Sequence, residues 1–120
     1  MEATIWHNPA CQTSRRALAL LRAAGLEPVV VEYLKTPPSR DELIEVVRRL
    51  GVPLRAILRR RGTPFDALGL GDPALGDEAL LEAIQRHPVL IERPIVITDK
   101  GARLCRPPEA VQALPGQGLD

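Results

Sequence analysis

A chain of 120 residues, 45% of them hydrophobic, can build one domain with a real core but not two. Aromatics make up only 2%, so Leu, Val, Ile and Ala must fill that core. A formal net charge of +1 removes any global electrostatic case for nucleic acid or a membrane surface. No apolar run nears the roughly 18 residues that cross a bilayer. The start, "MEATIWHN", has neither the charged nor the apolar region of a signal peptide. Two cysteines far apart in such a chain point to reduced thiols in the cytoplasm rather than to a structural disulfide. Lys35 and Lys100 apart, every basic residue is arginine. Guanidinium offers oxyanions a planar fork of donors, although a GC-rich genome would give the same bias.

In chain order, "ATIWH" at 3–7 predicts a short strand and "NPACQ" a loop. A helix is expected over 13–24, with Ala17, Leu18, Leu21 and Ala24 on one face and Gly25 just past its end. "PVVVEY" at 28–33 is a β-branched run of the kind expected in a strand buried on both faces. "TPPSRDEL" opens a second helix with Ser39 and Glu42 at capping-box spacing, an apolar stripe of Leu43, Val46, Val47 and Leu50, and Gly51 as stop. "PLRAILRRR" reads as a short helix. "GTPFDALGLGDPALG" reads as a Gly- and Pro-rich loop with room for a helical turn. "GDEALLEAIQRH" reads as a helix capped by Asp77 and broken at Pro88. "PIVITDKGARLCR" at 94–106 predicts a β-hairpin around Asp99–Gly101, and "PPEAVQAL" a last short helix with a proline start. "PGQGLD" at 115–120 is expected to be a flexible tail.

The order is β-α-β, a helical block, then β-β-α. Without the block this is the thioredoxin order. The fold class expected is therefore α/β and thioredoxin-like (glutaredoxin-like), a small mixed sheet flanked by helices, with a helical insertion at about 39–90 and one domain over 1–114.

Cys11 is the residue that carries chemistry. A thiol is mostly protonated at neutral pH, and three features here favour its anion. It precedes a helix start, whose N–H groups and dipole attract negative charge. Ser14 is spaced to donate a hydroxyl hydrogen bond, and His7 ends the strand that enters the loop. Cys-Gln-Thr-Ser is a CxxC pattern with its second thiol replaced, so a covalent adduct on Cys11 would need a resolving thiol from elsewhere. Cys11 is expected to titrate below a free thiol, and to rise when His7 is replaced by alanine.

Several stretches together resemble the glutaredoxin-dependent arsenate reductases, the ArsC family. "HNPACQTSR" looks like that family's nucleophile loop and "PPSRDEL" like the start of its second helix. "RAILR" at 55–59, "HPVLIERPIVIT" at 87–98 and "RLCRPPE" at 103–109 match further blocks in order. The resemblance implies a thioredoxin-like fold in which Cys11 attacks arsenate, with His7 and Ser14 assisting and Arg59, Arg93 and Arg106 binding the oxyanion. A helix would point only one of Arg59, Arg60 and Arg61 inward, and Arg59 is chosen because it closes the "RxxxR" match. It also implies a cis bond before Pro94, fixing Arg93 beside the Cys11 loop. Glutathione would serve as co-substrate and glutaredoxin as protein partner, with no bound cofactor, no metal, no nucleic acid and no membrane. A monomer is the default expectation. Strand alternation turns Cys105 into the sheet's packing if Arg106 faces the site. A zinc site from His7, Cys11, His87 and Cys105 lacks any local ligand pair.

Two departures from the family are visible. Gln12 stands where its best-matched members carry glycine, and the chain stops soon after "PPEAV". The alternatives are a regulator resembling the Spx proteins, which bind the RNA polymerase alpha subunit, and a general glutathione-linked thiol oxidoreductase on the same fold.

Overall fold

Strand β1, Ala3–His7, runs into the Asn8–Cys11 turn, and helix α1, Gln12–Ala23, follows at once. These and the elements below come from a computed structural model that describes residues 2–113; the expected tail at 115–120 lies outside the described residues. The chain falls into two compact units, one of Met1–Thr36 with Arg93–Asp120, the other Pro37–Glu92. The second unit is the helical insertion expected at about 39–90.

In the first unit β1, β2 (Val29–Glu32), β3 (Ile95–Thr98) and β4 (Gly101–Leu104) form one sheet in the order β2-β1-β3-β4. β2 is parallel to β1 with Ile5 opposite Val30, as the intervening α1 crossover requires. β3 runs antiparallel to β1 with Ile5 opposite Val96, and β4 is its hairpin partner through the turn at Asp99 and Lys100. This is a thioredoxin-like fold. Alternation sends Ala3 and Ile5 to one face, where they pack with Ala17 and Leu21 of α1, Val96, Cys105 and Val111. Val111 lies in the 3-10 helix Pro108–Ala113, which packs against α1.

One expectation fails here. β2 is not buried on both faces: it is an edge strand, with Val29 64% and Val30 37% exposed. A run of β-branched residues reports strand propensity, and only the strand order shows which strand has a free edge.

The second unit holds α2, Arg40–Leu50, and α3, Asp77–Arg86, which pack on each other. The capping box forms: Ser39 Oγ accepts from Glu42 N–H at 3.1 Å, and Glu42 Oε1 accepts from Ser39 N–H at 2.9 Å. Gly51 ends α2 at φ 69°, a left-handed conformation that glycine adopts without strain. α3 is capped by Gly76 rather than Asp77, which takes the first helical position, and no side chain caps it. The expected helix at 53–61 is a 3-10 helix over Leu54–Ile57 only. It stops because Leu58 leaves to bridge Ile91, with Arg59 N–H donating to Leu90 O and Glu92 N–H to Ile57 O, both at 2.7 Å. Arg55 holds the following Gly- and Pro-rich loop, donating to the carbonyls of Leu70 (2.8 Å), Asp72 (2.5 Å) and Leu75 (3.2 Å). No helix among the described residues is long and apolar enough to cross a membrane.

Candidate active site

Cys11 occupies the N-cap of α1, extended at φ −95° and ψ 121°, and no side chain caps the helix. No side-chain oxygen takes the first amides of α1, and one of them, Ser14 N–H, serves the Cys11 sulfur. Gln12 is the first helical residue, and no non-glycine residue among those described has positive φ. The loop thus reaches its conformation without the freedom that a glycine at position 12 would add.

The hairpin register carries two arginines to this loop. Ile95 pairs with Leu104, and one residue further out Cys105 N–H donates to Pro94 O at 2.9 Å. One step beyond lie Arg93 and Arg106, and Arg106 Nη1 donates to Arg93 O at 3.0 Å. The same Nη1 stands 3.9 Å from Cys11 Sγ. Both arginines precede cis prolines, Pro94 and Pro107. The expectation from sequence concerned the first alone.

Burial by itself would raise the Cys11 thiol. The Ser14 backbone N–H, the hydrogen bond and charge of Arg93, and the hydrogen bond of Arg106 outweigh it, so the net shift is downward. The serine's contribution differs from the one expected. Its hydroxyl is turned away toward the end of β1, where Ser14 Oγ and His7 Nδ1 share a 2.6 Å hydrogen bond and Asn8 N–H donates to the same oxygen at 3.1 Å. The main chain of Ser14 serves the sulfur, while its side chain serves His7.

His7 is buried, and burial is the main reason its pKa falls; Glu32 opposes the shift, and the charges of Arg22 and Arg15 add to it. The imidazole is therefore neutral near pH 7 and supplies no positive charge to the thiolate. Its hydrogen bond to Ser14 acts on the loop's shape. Cys105 is fully buried in the core of the first unit, and desolvation pushes its thiol up to about 12.

Arg59 belongs to the second unit. There its Nη1 pairs with Glu92 at 2.9 Å and its Nε donates to Arg61 O at 3.1 Å. Residues 59–61 are not helical, so no helix face selects one of the three arginines, and the choice of Arg59 stands on its motif match alone. Arg60 pairs with Asp66 at 2.8 Å and lies over Phe65, and both Arg60 and Arg61 are exposed. No group of three or more His, Cys, Asp or Glu side chains among the described residues could hold a metal ion.

Sequence reasoning passed over Asn8. It makes three hydrogen bonds inside the loop, and its position before proline at a strand end was the available signal.

The sequence profile of the ArsC family matches residues 6–114. The chain is 57% identical over 111 residues to an arsenate reductase of Rhizobium meliloti (strain 1021), covering 92% of this chain and 79% of that protein. It is 48% identical over 108 residues to an arsenate reductase of Escherichia coli (strain K12), covering 90% and 77%. The structure of an arsenate reductase from Vibrio cholerae superposes with a TM-score of 0.91 at 46% identity, covering 94% of this chain and 97% of that one.

Proposed function

Because the chain belongs to the ArsC family, we propose that it is an arsenate reductase with Cys11 as its nucleophile. The observation that carries the reading is the thiol at a helix start, served by Ser14 N–H, with Arg106 at 3.9 Å and Arg93 hydrogen-bonded to it. Such a sulfur is shifted toward its thiolate, and the guanidiniums that favour that anion also neutralise an approaching oxyanion.

The thiolate attacks arsenic, an As–S bond forms, and one arsenate oxygen leaves as water. Arg93 and Arg106 take up the charge on the remaining oxygens, and Arg59 enters this assignment through its motif position alone. The adduct needs a second thiol. The chain has only two cysteines, and Cys105 is buried with its thiol pushed up to about 12. An external thiol, glutathione, therefore attacks Cys11 Sγ. The As–S bond breaks with its electron pair going to arsenic, As(V) becomes As(III), and the two sulfurs are oxidised to a mixed disulfide. Arsenite leaves, and glutaredoxin takes the glutathionyl group by thiol–disulfide exchange. We place the reaction in the cytoplasm, where glutathione is kept reduced.

The test is arsenate-dependent NADPH oxidation coupled through glutathione, glutaredoxin and glutathione reductase. Wild type is expected to turn over, and Cys11→Ser and Arg93→Ala to lose that turnover. Turnover of glutathionylated substrates without any arsenate dependence would make the protein a general thiol oxidoreductase instead.

A further inference from the structure

Pro9 has no N–H, so the first amide that can close the turn after β1 is that of Ala10. Asn8 Oδ1 accepts it at 3.0 Å. The carbonyl of Asn8 accepts Cys11 N–H at 3.0 Å, and its own N–H donates to Ser14 Oγ at 3.1 Å. Every polar group of one residue apart from its side-chain NH2 is thus tied to a different point of the nucleophile loop. Asn8 is only 8% exposed, so these bonds are not traded freely for water. Outside the turn, Arg15 Nη1 donates to Pro9 O at 2.8 Å and clamps the same segment against α1.

We propose that Asn8 is a positioning residue for the reaction: its side chain closes the turn that sets Cys11 at the helix start, at the distance from Arg93 and Arg106 that thiolate chemistry needs. The inference rests on Cys11 being the nucleophile. Without Oδ1 on Ala10 N–H, the Cys11 N–H to Asn8 O bond alone closes the turn from within, the remaining ties being those of Asn8 N–H to Ser14 Oγ and Arg15 Nη1 to Pro9 O across to α1, and the sulfur gains freedom to leave its donors. Asparagine suits the role because its side chain reproduces a backbone turn two residues on. Serine can do the same more weakly. Glutamine carries the same amide one methylene too far.

The experiment measures Cys11 alkylation by iodoacetamide against pH, beside arsenate kcat and KM, in wild type, Asn8→Ala, Asn8→Ser and Asn8→Gln. Loosening of the nucleophile is expected to cost Asn8→Ala between about tenfold and a hundredfold in kcat, with a smaller change in KM because the arginines remain. Its alkylation midpoint should move up toward that of a free thiol, and Asn8→Ser should recover part of both. If Asn8→Ala does not fold, the comparison of Asn8→Ser with Asn8→Gln decides, and equal profiles for those two overturn the proposal. A variant altered in unfolding midpoint alone, with alkylation profile and kcat unchanged, also overturns it. Alkylation is read without arsenate, so a wild type with a reactive Cys11 and no arsenate turnover would sink the reductase reading and leave this one standing.

Discussion

Replacing Ser14 by alanine separates the two tasks of that residue. The side chain is fully buried, and its oxygen is the partner of two groups, His7 Nδ1 at 2.6 Å and Asn8 N–H at 3.1 Å. Alanine leaves both without that partner in a dry site. Each such loss costs about 1–3 kcal/mol. The two groups adjoin, so their costs do not simply add, and a total of about 2–4 kcal/mol is expected. That is a large share of the roughly 5–15 kcal/mol by which domains of this size are stable. Urea unfolding should show the loss as a lower midpoint with an unchanged slope. A His7→Ala partner variant completes a double-mutant cycle, in which the hydrogen-bonded pair should show a coupling of at least about 0.5 kcal/mol. The thiol should respond far less. Alanine keeps the backbone N–H that bonds Cys11, and Arg93 and Arg106 are untouched, so the alkylation midpoint should stay low. A stability loss under about 0.5 kcal/mol, or a thiol that reverts to free-cysteine behaviour, would refute this division of labour.

Thiol counting with a disulfide reagent should find one reactive cysteine in the native protein and two in denaturant, since Cys105 is buried and protonated well into alkaline pH; two native reactive thiols would contradict its place in the core. The stability profile against pH follows from the direction of each shift. His7 is held below its ordinary 6.5 by burial, so the unfolded chain binds the extra proton first. Its contribution is full above about 6.5 and is lost as the pH falls through the folded value. Cys105 acts in the opposite sense: its folded pKa is raised, so stability is lost as the pH climbs from the ordinary thiol range toward about 12. Unfolding midpoints measured from pH 5 to pH 10 should decline at both ends. His7→Phe should flatten the acid side, and Cys105→Ala the alkaline side.

Much of this architecture could be read along the chain because its signals are local. The limits of β1, the capping box at Ser39 and Glu42, the Gly51 stop and the hairpin around Asp99–Gly101 each depend on residues within a few positions of one another. That Arg93 and Arg106 meet follows from the hairpin register, Ile95 opposite Leu104, which the structure supplied. The local pattern singled out Cys11, and the family resemblance added Arg59, Arg93 and Arg106 as a set. Three-dimensional packing settled what no window of sequence contains. β2 has the composition of a central strand, yet strand order made it an edge with Val29 and Val30 in solvent. The arginine-rich run at 59–61 follows a helical pattern, yet the bridge from Leu58 to Ile91 takes the chain out of the helix before it. Ser14 has one hydroxyl and several possible partners. Its choice of His7 over Cys11, and the neutral state of that histidine, follow from how β1 and α1 close around the loop and exclude water. Propensity is a property of neighbours along the chain. Hydrogen-bond direction, burial and the charge on a titratable group depend on neighbours across it.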